Sequence, residues 1–153
     1  MLAEALEDRV KAIVYAEGNI DFDDCFSSNL VITRYTFEEY KVKGFAKGLD
    51  ILRKQRDVGK IASSQEKAGP ETIYLSSKDL VKVSSEDTLV KRLTALKIPV
   101  LAIYGEMNRG KWTSEKKLAA LFPLVFIPEA GHMMMVENPD AYYNKVAAFI
   151  HKI

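Results

Sequence analysis

Few side chains in this sequence stand where they could do chemistry. His132 closes the turn Glu129-Ala130-Gly131-His132, directly after the apolar run Leu124 to Ile127. A histidine in a turn after a strand can point into a pocket mouth and trade protons near neutral pH. It can equally be a solvated turn histidine, and spacing alone leaves both readings open. His151, near the end of the last helical stretch, reads as surface. Carboxylates follow two other apolar runs: Glu17 after Val10 to Ala16, and Glu106 after Ile98 to Gly105. Cys25, Ser27 and Ser28 are nucleophiles by type, but they lie in an acidic loop and not on a strained strand-to-helix turn. Asp21, Asp23 and Asp24 lack the glycine and distal glutamate that a calcium loop needs. They read as solvated charge, with helix capping open to Asp23 or Asp24. No phosphate-binding glycine loop and no metal-ligand cluster is visible, so no cofactor is expected.

The elements around these residues can be read from periodicity. Leu2, Ala5 and Leu6 share one side of a helical end. Val10 to Ala16 is nearly continuous apolar sequence, as in a strand buried on both faces. Residues 36 to about 96 carry no strand alternation and read as helices. Thr36-Phe37-Glu38-Glu39 is a capping box, and Phe37, Tyr40, Phe45, Leu49 and Leu52 follow it. The segment from Gly59 breaks that pattern, and Pro70 suits a first helical position. A third helix is expected from Ser84-Ser85-Glu86-Asp87.

From Lys97 the grammar changes to strand, helix, strand, helix. Ile98 to Gly105 and Leu124 to Ile127 are the strands. Thr113 or Ser114 caps the helix between them, and Asn138-Pro139 opens the last helix, with Tyr142, Val146, Phe149 and Ile153 on one stripe. Such alternation with short connectors means parallel strands.

Composition excludes several partners. Lys plus Arg (22) nearly cancels Asp plus Glu (21) in the 153 residues, so no electrostatic pull toward nucleic acid or a membrane surface is expected. No apolar run is long enough to span a bilayer, and the acidic start does not resemble a signal peptide. The lone Cys25 cannot form an internal disulfide, which points to a reducing, cytoplasmic setting.

In order, PVLAIYG, LVFIPEAGH and ENPDAYYNKVAAFI resemble the closing section of the α/β-hydrolase fold. RVKAIVYAEGN is similar to the strand and turn after the nucleophile's helix, most of all in the haloalkane-dehalogenase branch. The resemblance implies an α/β chain of about three parallel strands with flanking helices, a single truncated domain over 1–153. Residues 24–96 would be its helical cap insertion, and Trp112 could pack beneath it. His132 would be the catalytic base, with Met133 to Met135 packing in the core or lining a pocket. Asn108 stands where many members carry the catalytic aspartate in G-x-x-D, and an amide has no charge to stabilise an imidazolium. Glu106 is two residues too early. In the dehalogenase branch the acid moves to the position of Glu17, so Glu17 and His132 are the implied catalytic pair.

The family's nucleophile elbow, G-x-S-x-G, is not in the sequence. It is expected to fall upstream of Met1, which would leave the chain inactive alone. The substrate of the longer protein would be a small ester, epoxide or haloalkane. The Val10 to Ala16 strand would then be an exposed edge, and homo-oligomers through that edge are expected. The alternative is a non-catalytic, self-associating remnant of the same fold.

Overall fold

The computed structural model describes residues 2–55, 59–86 and 88–153. It is mixed α/β, with a three-strand parallel sheet flanked by helices. The chain forms two compact units, residues 1–20 with 88–153, and residues 21–87.

The first unit holds the sheet. Helix α1 (Leu2–Leu6) leads through a 3-10 turn to β1 (Ile13–Ala16), and α6 (Leu89–Ala95) precedes β2 (Val100–Gly105). Then follow α7 (Thr113–Ala119), β3 (Leu124–Ile127), α8 (Met134–Glu137) and α9 (Pro139–Ile150). Sheet order is β1-β2-β3, and both pairings are parallel. Ala16 sits beside Ile103, and Gly105 beside Ile127, so all three strands end at one edge of the sheet.

Burial explains the sheet's two faces. Leu101, Ile103 and Ile127 pack with Ala130, Met134 and the α9 residues Ala141, Tyr142, Val146 and Phe149. The opposite face carries Tyr104, ringed by Tyr15 and Phe126, with its hydroxyl 3.0 Å from the Ser114 hydroxyl on α7. β2 is buried along its whole length because it has a strand on each side. β1 is only half-buried, and it begins at Ile13 rather than Val10. As an edge strand it has a single neighbour, so the continuous apolar run does not mark burial on both faces. Among the described residues no further strand pairs with β1.

The second unit is helical. The reciprocal bonds Asp24 N–H to Asp21 Oδ1 (3.2 Å) and Asp21 N–H to Asp24 Oδ2 (3.3 Å) make an all-aspartate capping box. Both residues are buried, which corrects their reading as solvated charge. The expected acidic loop is therefore a 3-10 turn, Asp23–Cys25, running into α2 (Phe26–Arg34). Thr36 and Glu39 form the anticipated capping box, opening α3 (Phe37–Glu39). A π turn over Tyr40–Gly44 joins it to α4 (Phe45–Lys54). Rings of Phe37 and Tyr40 pack on Tyr74, at 5.5 and 5.7 Å between centroids.

Gly59–Ser85 is two helices meeting at Gly69, labelled together α5. The expected break from Gly59 is thus helical. Ala, Gln, Glu and Lys favour helix there, and the true stop is Gly69 in a positive-φ conformation (81°). Pro70 then starts the second segment, as its ring geometry suits. Ser84 and Ser85 end this helix instead of starting the next, and Ser85 donates to the Val81 carbonyl (2.6 Å). Asp87 lies outside the described residues; α6 starts at Leu89 after Thr88. Trp112, not Thr113 or Ser114, holds the cap position of α7. Ile153 falls beyond α9 and is exposed. No described helix is long and apolar enough to cross a membrane.

Asn138 caps α9 by accepting from the Ala141 N–H (3.2 Å), and its amide donates to the Pro128 carbonyl (3.0 Å). Asn138→Ala should therefore cost about 1 kcal/mol or slightly more. A lower urea midpoint with an unchanged denaturant slope is the expected result.

Candidate active site

Three loops leave the same ends of the three parallel strands, and each carries one polar group of the site. Glu17 is the residue after β1. Its backbone is left-handed (φ 41°) and is held there by its own N–H donating to the Ile103 carbonyl (3.0 Å). That conformation turns the side chain in along the ends of the strands. Its side chain is 1% exposed, so its carboxylate has to find donors inside the protein.

It finds three. Oε1 accepts from the Gly105 N–H at the end of β2 (3.0 Å). Oε2 accepts from the Asn108 amide (3.0 Å) and faces His132 Nδ1 (2.9 Å). Gly105 has to be glycine for this to happen. A Cβ there would run into the backbone carbonyls of Ala130 and Gly131, which cross directly over it. The Met107 N–H donates to the Ala130 carbonyl (3.0 Å), tying the two loops together. Glu137 accepts from the Gly131 N–H (2.5 Å) and pins the turn that presents His132.

The arrangement fixes the imidazole chemically. With Glu17 as acceptor, Nδ1 carries the proton, and in the neutral ring Nε2 keeps its lone pair. Nε2 makes no hydrogen bond among the described residues, and 43% of the His132 side chain is exposed. The hydrogen bond to Glu17 raises the His132 pKa above 6.5, opposed by desolvation and helped by the charges of Glu17 and Glu137. The result is an oriented base whose protonated form is stabilised by a buried carboxylate.

The other candidates separate from this pair. Asn108 does not take the acid's place at the imidazole; it donates to the acid, and its carbonyl accepts from Lys111 Nζ (3.2 Å). Glu106 is exposed and pairs with Arg109 (3.6 Å), whose guanidinium lies over the Phe126 ring. Cys25 is buried, its thiol 3.5 Å from the Asp21 carbonyl, while Ser27 and Ser28 lie on α2. Met134 is fully buried in the core; Met133 and Met135 are partly so. Trp112 is partly buried, and His151 is exposed at the end of α9. Among the described residues no group of three His, Cys, Asp or Glu is placed to hold a metal. Reading the sequence does not find the Gly105 amide, the donor role of Asn108 or the brace from Glu137. Only Gly105, a glycine at a strand end, carries a local signal.

Two outcomes follow from this geometry. His132 should titrate above 6.5 by NMR, and Glu17→Gln should lower its midpoint, because the charge goes while desolvation stays. A folded-state pKa raised in this way gives stability that is full below the unfolded-state pKa. It fades as pH rises through the folded-state value, so the stability gap between wild type and Glu17→Gln in urea should narrow as pH rises into the alkaline range. Gly105→Ala should cost about 1–3 kcal/mol through overpacking and should also lower the His132 midpoint.

No protein-family model matches the chain, and no curated protein matches it either.

Proposed function

We propose that this chain is the acid–histidine part of an α/β-hydrolase, with the helical unit of residues 21–87 as its cap. The observation that supports this most is the 2.9 Å approach of His132 Nδ1 to the buried Glu17 carboxylate, at the ends of parallel strands. An acid on Nδ1 leaves Nε2 free to take a proton from an attacking hydroxyl or water. In this reading Glu17 orients the ring and stabilises the imidazolium, and His132 is general base and then general acid. The substrate class is a small ester, epoxide or haloalkane.

The attacking atom lies outside these 153 residues, since no G-x-S-x-G elbow occurs in them. Loss of an attacking serine alone costs on the order of a million-fold in kcat. The chain by itself should hydrolyse p-nitrophenyl acetate no faster than its His132→Ala variant. Extending the reading frame upstream of Met1 should bring in an elbow with serine or aspartate. The longer protein should then hydrolyse an activated ester, epoxide or haloalkane, and with a serine elbow His132→Ala should cost it on the order of a million-fold in kcat. A longer protein with an elbow whose turnover ignores His132 would reject the assignment.

The outer edge of β1 supports a second reading, self-association of a non-catalytic remnant, because no strand pairs there among the described residues. Size-exclusion chromatography at micromolar concentration should then give a dimer or larger species. A well-folded monomer would remove this reading.

A further inference from the structure

We propose that Asn108 is a positioning residue: its amide, oriented by Lys111, fixes Glu17 Oε2 as the acceptor for His132 Nδ1. Asn108 ends the short 3-10 turn Glu106–Asn108 that follows β2. The chain then folds back on itself. The Arg109 N–H donates to the Glu106 carbonyl (3.1 Å), and the Lys111 N–H to the Asn108 carbonyl (3.0 Å). Gly110 takes a positive φ (75°) between them, and its N–H donates to Glu115 (2.6 Å). This reversal brings the Lys111 ammonium to the Asn108 side-chain oxygen (3.2 Å).

An amide between an ammonium and a carboxylate can face only one way. Its oxygen must turn to Lys111 and its NH2 to Glu17, because the flipped rotamer would set lone pairs against a carboxylate and N–H groups against a cation. A cation on the carbonyl also polarises the amide into a stronger donor. The consequence for Glu17 is a grip on both oxygens. Gly105 N–H holds Oε1, and the Asn108 amide holds Oε2. Rotation of the carboxylate would break both bonds in a place where 1% of the side chain meets water. Among the described residues Asn108 makes no hydrogen bond to the imidazole itself and acts only through the acid.

The catalytic meaning of this role rests on the hydrolase reading, but its test does not. The ring nitrogens of His132 in the full 153-residue chain report tautomer and titration midpoint by 1H–15N NMR, with no substrate present. Wild type should hold the neutral ring in the Nδ1–H form. Asn108→Ala frees the carboxylate, so the Nδ1–H fraction should fall and the midpoint should move down toward that of Glu17→Gln. Asn108→Leu keeps the volume but offers neither a donor nor a charge, so it should follow alanine down. A residue that only fills space predicts that Leu matches Asn. Wild-type tautomer and midpoint in a folded Asn108→Ala chain would overturn the proposal. If the alanine variant does not fold, the near-isosteric, uncharged Asn108→Leu decides: a lowered Nδ1–H fraction and midpoint support it, and wild-type values overturn it. A positive NMR result with a hydrolytically silent longer protein would discard the hydrolase and keep the positioning role.

Discussion

The site depends on one constraint, a carboxylate placed out of reach of water. A buried charge is tolerated only where donors surround it, and those of Glu17 come from the end of β2 with its turn and from the His132 loop. The parallel register delivers the first, by setting Glu17 opposite Tyr104, one place short of Gly105 across the β1–β2 ladder. The absence of a side chain at Gly105 delivers another indirectly, since it lets the 130–131 backbone pass close enough for His132 to arrive. Holding Glu17 at φ 41° costs about 1–2 kcal/mol for a residue with a Cβ. The hydrogen bonds at its amide and carboxylate over-determine that conformation, as strained positions require.

Most of the sheet unit was legible in the sequence because its signals are local. Ile98 to Gly105 and Leu124 to Ile127 are short, apolar and bounded by proline or glycine, and Asn138-Pro139 carries a helix start in two residues. The failures come from competition between local rules. Ser84 and Thr113 look like caps, yet a preceding helix claims one and the α7 helix starts by absorbing the other. Val10 to Ala12 has strand composition but no partner to ladder with, since pairing with β2 begins at Ile13. In the helical unit, five residues separate Tyr40 from Phe45, a spacing that fits neither three nor four. That irregularity is the trace of the π turn.

The site was harder to see, for a physical reason. Glu17 and His132 are 115 positions apart, and no periodicity encodes a contact over that span. Family resemblance alone brought Glu17 forward, while its own neighbourhood says only that an acid follows a strand. Asn108 was read by what it lacks, a charge. Its function here lies in what an aspartate lacks, an N–H to give to another acid. Backbone donors such as Gly105 N–H leave no mark in sequence at all, because every residue but proline has one.

The wide turn at Tyr40–Gly44 has a consequence for the aromatic cluster around it. In an α-helix, residues five apart point about 140° away from each other. The extra residue takes up that difference, so the rings of Tyr40 and Phe45 come within 6.0 Å of each other. Winding the same residues as a plain α-helix, with none removed, would rotate Phe37 by about 100° relative to Leu49. The two halves of the helix would then aim their greasy stripes in different directions, and Tyr74, packed on Phe37 and Tyr40, would stay with the first.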